Sequence, residues 1–226
     1  GKELCELGKH KHVVKNVDFT GDSMLIATGC QDGYVRIFDS AQPHAAAREI
    51  KISEGAAEHI TKLWWNSPDN NDLIMVGKKN GRIELRDLRT DAATVVRSVD
   101  IPAKTSIMDL ELNYHHNCVL AGSGNKIYKL AATDLSIVRE IETPKGMHFE
   151  KEGGVSLSPD GQRIMAGASD LDLREFDSHT GEVLRTFKGH HGPIRCVRYH
   201  PSGGMIASGS EDATVRLWGL AEGSME

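Results

Sequence analysis

A single pattern of short alternating strands recurs along this chain, and it restricts the fold more than any other feature. The stretch Lys188–Leu220 contains three short runs, Ile194–Tyr199, Met205–Ala207 and Thr214–Trp218. The first and last alternate apolar and polar residues with a period of two, which is typical of half-buried strands. Turn-forming residues at 201–204 separate the first two runs. The unit is therefore predicted to be a small antiparallel sheet.

Copies of this unit occur upstream at a nearly fixed period. The glycine that follows the second strand recurs at spacings of 48, 45, 45 and 42 residues, as Gly29, Gly77, Gly122, Gly167 and Gly209. Sheet repeats of about 40–45 residues with four strands each are typical of propeller blades. The chain is therefore expected to form one all-β domain of five such units.

The repeat period also predicts the boundaries of the units. The five units are expected at about 10–53, 59–101, 106–142, 148–187 and 190–218. Residues 1–7 alternate in the same way as residues 181–187, which also precede a histidine, so they are predicted to form an outer strand without its own sheet. Residues 221–226 are small and polar and are predicted to be a disordered tail.

The last unit resembles a WD40 repeat. Its Gly189-His190, the Ser208-Gly209 pair, Asp212 and Trp218 match the residue order of that family. The first unit keeps His10, Thr28 and Asp32 but has Phe38 at the tryptophan position. The resemblance implies an all-β WD40 β-propeller with five blades present of seven. It also implies that His190, Ser208, Asp212 and Trp218 form a structural tetrad in which aspartate accepts from histidine and histidine engages the hydroxyl. His10, Thr28 and Asp32 are expected to form the corresponding three members of a tetrad in the first unit.

The same residue types allow a catalytic alternative. A His/Ser/Asp set could serve a hydrolase, but no Gly-x-Ser-x-Gly elbow is present and Ser208 falls in a predicted interior strand. The histidine pairs at 10/12, 115/116 and 190/191 lack the spacing and partner cysteines of zinc sites. The chain is therefore expected to be no enzyme and to need no metal or cofactor.

Composition excludes several partner classes. The net charge is −5, with no long run of Lys or Arg, so direct nucleic-acid binding is not expected. The sequence contains no run of about 18 apolar residues, so no membrane span is predicted. The four cysteines form no C-x-x-C pair, which favours a reducing compartment, the cytoplasm or also the nucleus.

Protein binding is the expected function. Loop residues and an adjacent tryptophan pair are the partner-binding candidates: His12, His59, Trp64, Trp65, Ser106, His191 and Arg195. Since Trp64 and Trp65 point to opposite faces of a strand, one should be core and the other is a candidate anchor. Open blade edges could also drive self-association.

The resemblance extends to one WD40 family in particular, strongly in the first and last units. It implies a scaffold for partners in ribonucleoprotein assembly, with the survival-of-motor-neuron complex and RNA-binding proteins, in mRNA metabolism, and in animals in receptor kinase signalling. The alternative is the WD-repeat subunit of the third eukaryotic translation initiation factor.

Overall fold

All regular structure in the described part of the chain is β-strand. A computed structural model describes residues 2–53, 59–67, 70–90, 93–151 and 153–220, and no α-helix occurs in these ranges. Accordingly, none of these residues lies in a helix that could cross a membrane. The all-β class and the five-unit organisation predicted from the sequence are confirmed: five antiparallel sheets follow one another along the chain.

The chain divides into two compact units, residues 1–107 and 108–226. The first unit contains two four-stranded sheets in which consecutive strands are neighbours. Sheet one consists of β1 (Val14–Phe19), β2 (Leu25–Cys30), β3 (Tyr34–Asp39) and β4 (Arg48–Lys51). Sheet two consists of β5 (Ile60–Ser67), β6 (Asn70–Lys78), β7 (Arg82–Asp87) and β8 (Thr94–Asp100).

The second unit contains three sheets of the same meander order. Sheet three consists of β9 (Asp109–Asn113), β10 (Cys118–Ser123), β11 (Lys126–Ala131) and β12 (Ile137–Glu142). Sheet four consists of β13 (Gly154–Leu157), β14 (Arg163–Gly167), β15 (Leu173–Asp177) and β16 (Val183–Phe187). Sheet five has three strands, β17 (Ile194–Tyr199), β18 (Met205–Ser210) and β19 (Val215–Gly219).

The outer strand predicted over residues 1–7 is not formed. Residues 2–9 have no strand assignment, and among the described residues no strand pairs with the outer edge of β19. Alternation alone does not make a strand, because a strand also needs a neighbour for its backbone hydrogen bonds. Gly1 and the predicted tail at 221–226 lie outside the described residues.

The repeated glycine has a packing role. A Cβ placed on Gly77 would lie 2.9 Å from the side chain of Ile107, and one on Gly167 would lie 2.7 Å from that of Ile194. Gly29 and Gly122 are approached in the same way, by Ile60 and Phe149. In each case the residue in contact lies at or just before the start of the following sheet. Glycine therefore recurs because the side chain of a residue further along the chain packs directly on the backbone there.

Carboxylate side chains accept hydrogen bonds from backbone N–H groups at the unpaired edges of the first strands of sheets two and four. Asp18 of β1 accepts a hydrogen bond from the backbone N–H of Trp65 at 3.0 Å. In the second unit, Asp109 accepts from Val155 N–H at 2.9 Å and Glu111 accepts from Leu157 N–H at 2.9 Å. An inner strand would otherwise bury unpaired N–H groups. Carboxylates of one sheet thus accept the hydrogen bonds of N–H groups that have no neighbouring strand in the next sheet.

Candidate binding surfaces and the polar networks beneath them

The four tetrad residues predicted in the last unit meet in sheet five. Trp218 Nε1 donates to Ser208 Oγ at 2.8 Å, and Ser208 Oγ lies 2.7 Å from His190 Nε2. His190 Nδ1 lies 2.8 Å from Asp212 Oδ2. Since a carboxylate only accepts, His190 carries its proton on Nδ1, and Ser208 donates to Nε2. His190 and Ser208 are buried, so the network consumes the hydroxyl that a nucleophile would need to present.

This network also positions a loop. Asp212 Oδ2 accepts from the backbone N–H of His191 at 2.9 Å, and its other oxygen accepts from the Thr214 hydroxyl at 2.6 Å. The Thr214 hydroxyl, His191 N–H and His190 hold the pKa of Asp212 well below its usual value. Asp212 therefore stays ionised and fixes the backbone from which the exposed side chain of His191 projects.

Replacing Ser208 by alanine should measure what the tetrad contributes to stability. The substitution leaves Trp218 Nε1 and His190 Nε2 without their shared partner in a buried site, so we expect a loss of about 1–3 kcal/mol in the free energy of unfolding. Urea unfolding of the wild-type chain and the S208A variant tests this. Thr28→Ala is the matched control, because the Thr28 bonds in sheet one are longer, at 3.2 and 3.3 Å, and its loss should be smaller. Equal losses would contradict the argument.

In sheet one the histidine of the network has a different partner on Nδ1. His10 Nε2 lies 3.2 Å from Thr28 Oγ1, but His10 Nδ1 faces Arg36, whose NH1 donates to it at 2.9 Å. Arg36 in turn pairs with Asp32 at 2.9 Å and with Glu49 at 2.6 Å. The structure therefore brings His10 and Thr28 together and places Arg36 between His10 and Asp32. Since guanidinium only donates, His10 carries its proton on Nε2, the reverse of His190.

In sheet two an ion cluster occupies this position. Strand pairing aligns Val76 with Glu84, as it aligns Ser208 with Arg216 in sheet five. Glu84 accepts from Lys78 Nζ at 2.9 Å and from Arg86 Nε at 2.7 Å, and all three side chains are buried. Burial raises the pKa of Glu84, but Lys78 and Arg86 outweigh it and hold that pKa below its usual value.

Another cluster links all three sheets of the second unit. Arg198 of β17 donates to Asp109 of β9 at 2.7 and 3.1 Å and to the carbonyl of Val155 in β13 at 3.1 Å. Burial raises the pKa of Glu111, which lies 3.8 Å from Arg198. Sequence reasoning missed these residues because a polar residue that alternates with apolar ones in a strand normally indicates a solvated face. The available signal was charge in the first strand of several units.

The predicted candidates of the first unit occupy different environments. The rings of His12 and His59 lie 6.3 Å apart, and His12 is exposed. Ser106 is half-buried. Trp65 is 2% exposed and belongs to the core between sheets one and two, whereas Trp64 is half-buried. Of the tryptophan pair, only Trp64 is accessible enough to serve as an anchor.

Of the second-unit candidates, Arg195 borders a cleft between sheets four and five. Arg195 forms an ion pair with Glu211, and both line a cavity of about 260 Å³ together with Pro193. The opposite wall carries His148, Glu150, Lys151 and Ser169, which belong to the insertion before sheet four and to the turn of that sheet. Ser169 Oγ accepts from His148 N–H at 2.9 Å and donates to the Gly146 carbonyl at 3.0 Å, so the insertion is held in place.

No metal site is formed by the described residues, in which no group of three or more His, Cys, Asp or Glu side chains is placed to hold an ion.

Comparison with known proteins agrees with the fold and the network. The WD domain, G-beta repeat family matches residues 1–39 and 181–219, the regions of sheets one and five. The chain is 35% identical over 218 residues to the human serine-threonine kinase receptor-associated protein, covering 96% of this chain and 58% of that protein. It is 30% identical over 218 residues to the Dictyostelium discoideum protein of the same name, covering 96% of this chain and 69% of the relative.

A shorter match is to mouse pre-mRNA-processing factor 19, 34% identical over 91 residues, which covers 38% of this chain and 18% of that protein.

Repeated meander sheets with a His–Ser–Asp–Trp network define a WD40-repeat β-propeller protein. Among WD40 proteins, the similarity over 96% of the chain shows that it belongs to the family of the serine-threonine kinase receptor-associated proteins. The chain spans little more than half the length of the animal relatives.

Proposed function

We propose that this chain is a non-catalytic scaffold that binds protein partners during ribonucleoprotein assembly. The observation that carries the proposal is the similarity to the receptor-associated proteins along 96% of the chain. The resemblance to that family implies partners in the survival-of-motor-neuron complex and in mRNA metabolism. The name of a shorter match, pre-mRNA-processing factor 19, agrees with a role in RNA processing. The proposed setting is the cytoplasm and the nucleus, with an adaptor role for receptor kinases in animals.

The chemistry of the sheets supports binding rather than catalysis. Ser208 and His190, the residues of the catalytic alternative, are buried and use their polar atoms on each other, on Trp218 and on Asp212. Exposed polar side chains are instead carried by loops whose backbone these networks hold. Loops on a rigid scaffold are where binding residues concentrate in such folds.

Arg195 is the residue we expect to report partner binding most directly. It borders the cleft beside Pro193, and arginine is enriched among residues that dominate interface energy. We expect Arg195→Ala to weaken binding of a reconstituted survival-of-motor-neuron complex about tenfold, about 1.4 kcal/mol, in a biolayer interferometry titration. Arg139→Ala, at an exposed position of the outer strand β12, is the matched control and should leave affinity unchanged.

The titration tests both the assigned surface and the assigned partner complex. Binding that Arg195→Ala leaves intact would disprove the assigned surface. No binding to this complex, together with binding to the core of the third translation initiation factor, would disprove the assembly role and support the alternative family.

A further inference from the structure

The environment of His10 differs from that of its counterpart in sheet five. His190 faces a carboxylate through Nδ1, whereas His10 faces the guanidinium of Arg36, 2.9 Å away. Arg36 is 3% exposed and is held by Asp32 and Glu49. Because Arg36 can only donate, the observed contact exists only while His10 Nδ1 is unprotonated.

Three charged groups face the imidazole of His10. Arg36 reaches it from β3, Asp32 from the turn between β2 and β3, and Glu49 from β4. Burial lowers the pKa of His10 and Arg36 lowers it further, while Asp32 and Glu49 raise it in part, with a net lowering. The bound imidazole therefore takes up a proton less readily than a free one, whose pKa is about 6.5. Acid consequently favours any state in which His10 has left Arg36.

His10 is the first anchor after an otherwise weakly attached segment. Residues 2–9 form no strand, and no backbone hydrogen bond joins them to the rest of the described chain. Gly8 lies against the ring of Phe38, which a Cβ on Gly8 would approach to 3.5 Å. Residues 7–9 form one wall of an open cavity of about 410 Å³, and Phe38 and Ala45–Ala47 contribute to its other walls.

We propose that residues 2–10 form a pH-sensitive strap on sheet one. Protonation of His10 places a second cation against Arg36, which breaks the Arg36–His10 contact, releases the strap and uncovers Phe38. The carboxylates of Asp32 and Glu49 remain paired with Arg36 and keep sheet one folded. The strap does not depend on which partner the protein binds.

A spin label on Cys5 tests the strap directly. Cys30 and Cys118 are buried, so replacing the exposed Cys196 by serine leaves Cys5 as the accessible thiol. As the pH falls from 7.5 to 5.0, the ratio of mobile to immobile label should rise, by up to about tenfold per pH unit below about 6.5. A label on Cys196 in a Cys5→Ser chain should not change over this range, and circular dichroism should show that the sheets persist.

Two variants make the test specific to the proposed contact. His10→Asn cannot titrate and should give a pH-independent spectrum. Arg36→Gln removes the second cation, so protonated His10 faces only carboxylates and the mobile fraction should rise less than about twofold. His12→Asn, two residues along and exposed, should behave as the wild-type chain does. An unchanged wild-type spectrum down to pH 5.0, or the same acid transition in His10→Asn or Arg36→Gln, would overturn the proposal.

Discussion

Replacing Asp109 by alanine is expected to lower the free energy of unfolding of the second unit by about 3 kcal/mol. The side chain of Asp109 is fully buried, accepts from Val155 N–H and pairs with Arg198. Its removal leaves the Val155 N–H without its acceptor and takes from Arg198 the carboxylate that it contacts most closely. The expected loss is at the lower end of the range for a broken buried ion pair, since the side chain of Arg198 is 38% exposed and can recover some hydration.

Urea unfolding of the D109A variant measures this loss. Glu182→Ala is the control, because Glu182 is exposed and its carboxylate has no hydrogen-bond partner among the described residues, so the change should stay within about 0.5 kcal/mol. A loss in D109A as small as the control's would mean that the carboxylate does not satisfy the edge of β13. Asp18→Ala extends the comparison to the first unit, where Asp18 accepts from the backbone N–H groups of Trp65 and Phe19.

The arrangement of strands was predictable because two independent periods agreed. Alternation within each strand gave its position, and the recurring glycine gave the sheet to which it belongs. The structure adds the reason for the glycine, which is the contact of Ile107 with Gly77 and of Ile194 with Gly167. The segment at 1–7 shows the limit of the pattern, because alternation reports a tendency and pairing depends on a neighbour.

The polar networks were predictable only where the residues themselves repeat. His190, Ser208, Asp212 and Trp218 meet as the WD40 resemblance implies. In sheet one the resemblance predicted a direct contact between His10 and Asp32, but Arg36 lies between them. Arg216 occupies the register of Arg36 in sheet five and makes no such contact with His190, so the last unit gave no indication of this arrangement.

Sheets two and three illustrate why the other solutions were not visible in the sequence. The register opposite the Ser/Thr position holds Glu84 in sheet two and Tyr128 in sheet three. The buried Glu84 is tolerated because cations surround it: Lys78 and Arg86 converge on it from β6 and β7, and Arg82 pairs with it at 3.0 Å. Such compensation is a property of three-dimensional placement, and each residue read alone would be assigned to the surface.

Glu84→Ala is expected to be among the most destabilising single substitutions in the first unit, at about 3–5 kcal/mol. It leaves Lys78, 2% exposed, and Arg86, 8% exposed, as two buried cations without their shared anion. The sign of the pH dependence follows from the lowered pKa of Glu84. Its contribution is present above the unfolded value of about 4.3 and is lost as the pH falls through the folded value. Urea unfolding at pH 7 should therefore show the full effect.

Sheet three carries uncharged residues at the positions of this ion cluster, so a variant of sheet two can replace all three charged residues at once. Ser123, Tyr128 and Leu130 occupy the registers of Lys78, Glu84 and Arg86. We expect the triple variant Lys78→Ser, Glu84→Tyr, Arg86→Leu to be more stable than Glu84→Ala, although it removes three charged groups instead of one. It still loses the donors to the carbonyls of Ile52 and Ala93, so it should fall about 1–3 kcal/mol below the wild-type chain. A triple variant less stable than Glu84→Ala would show that the ion pairs themselves, and not the cost of leaving cations unpaired, stabilise sheet two.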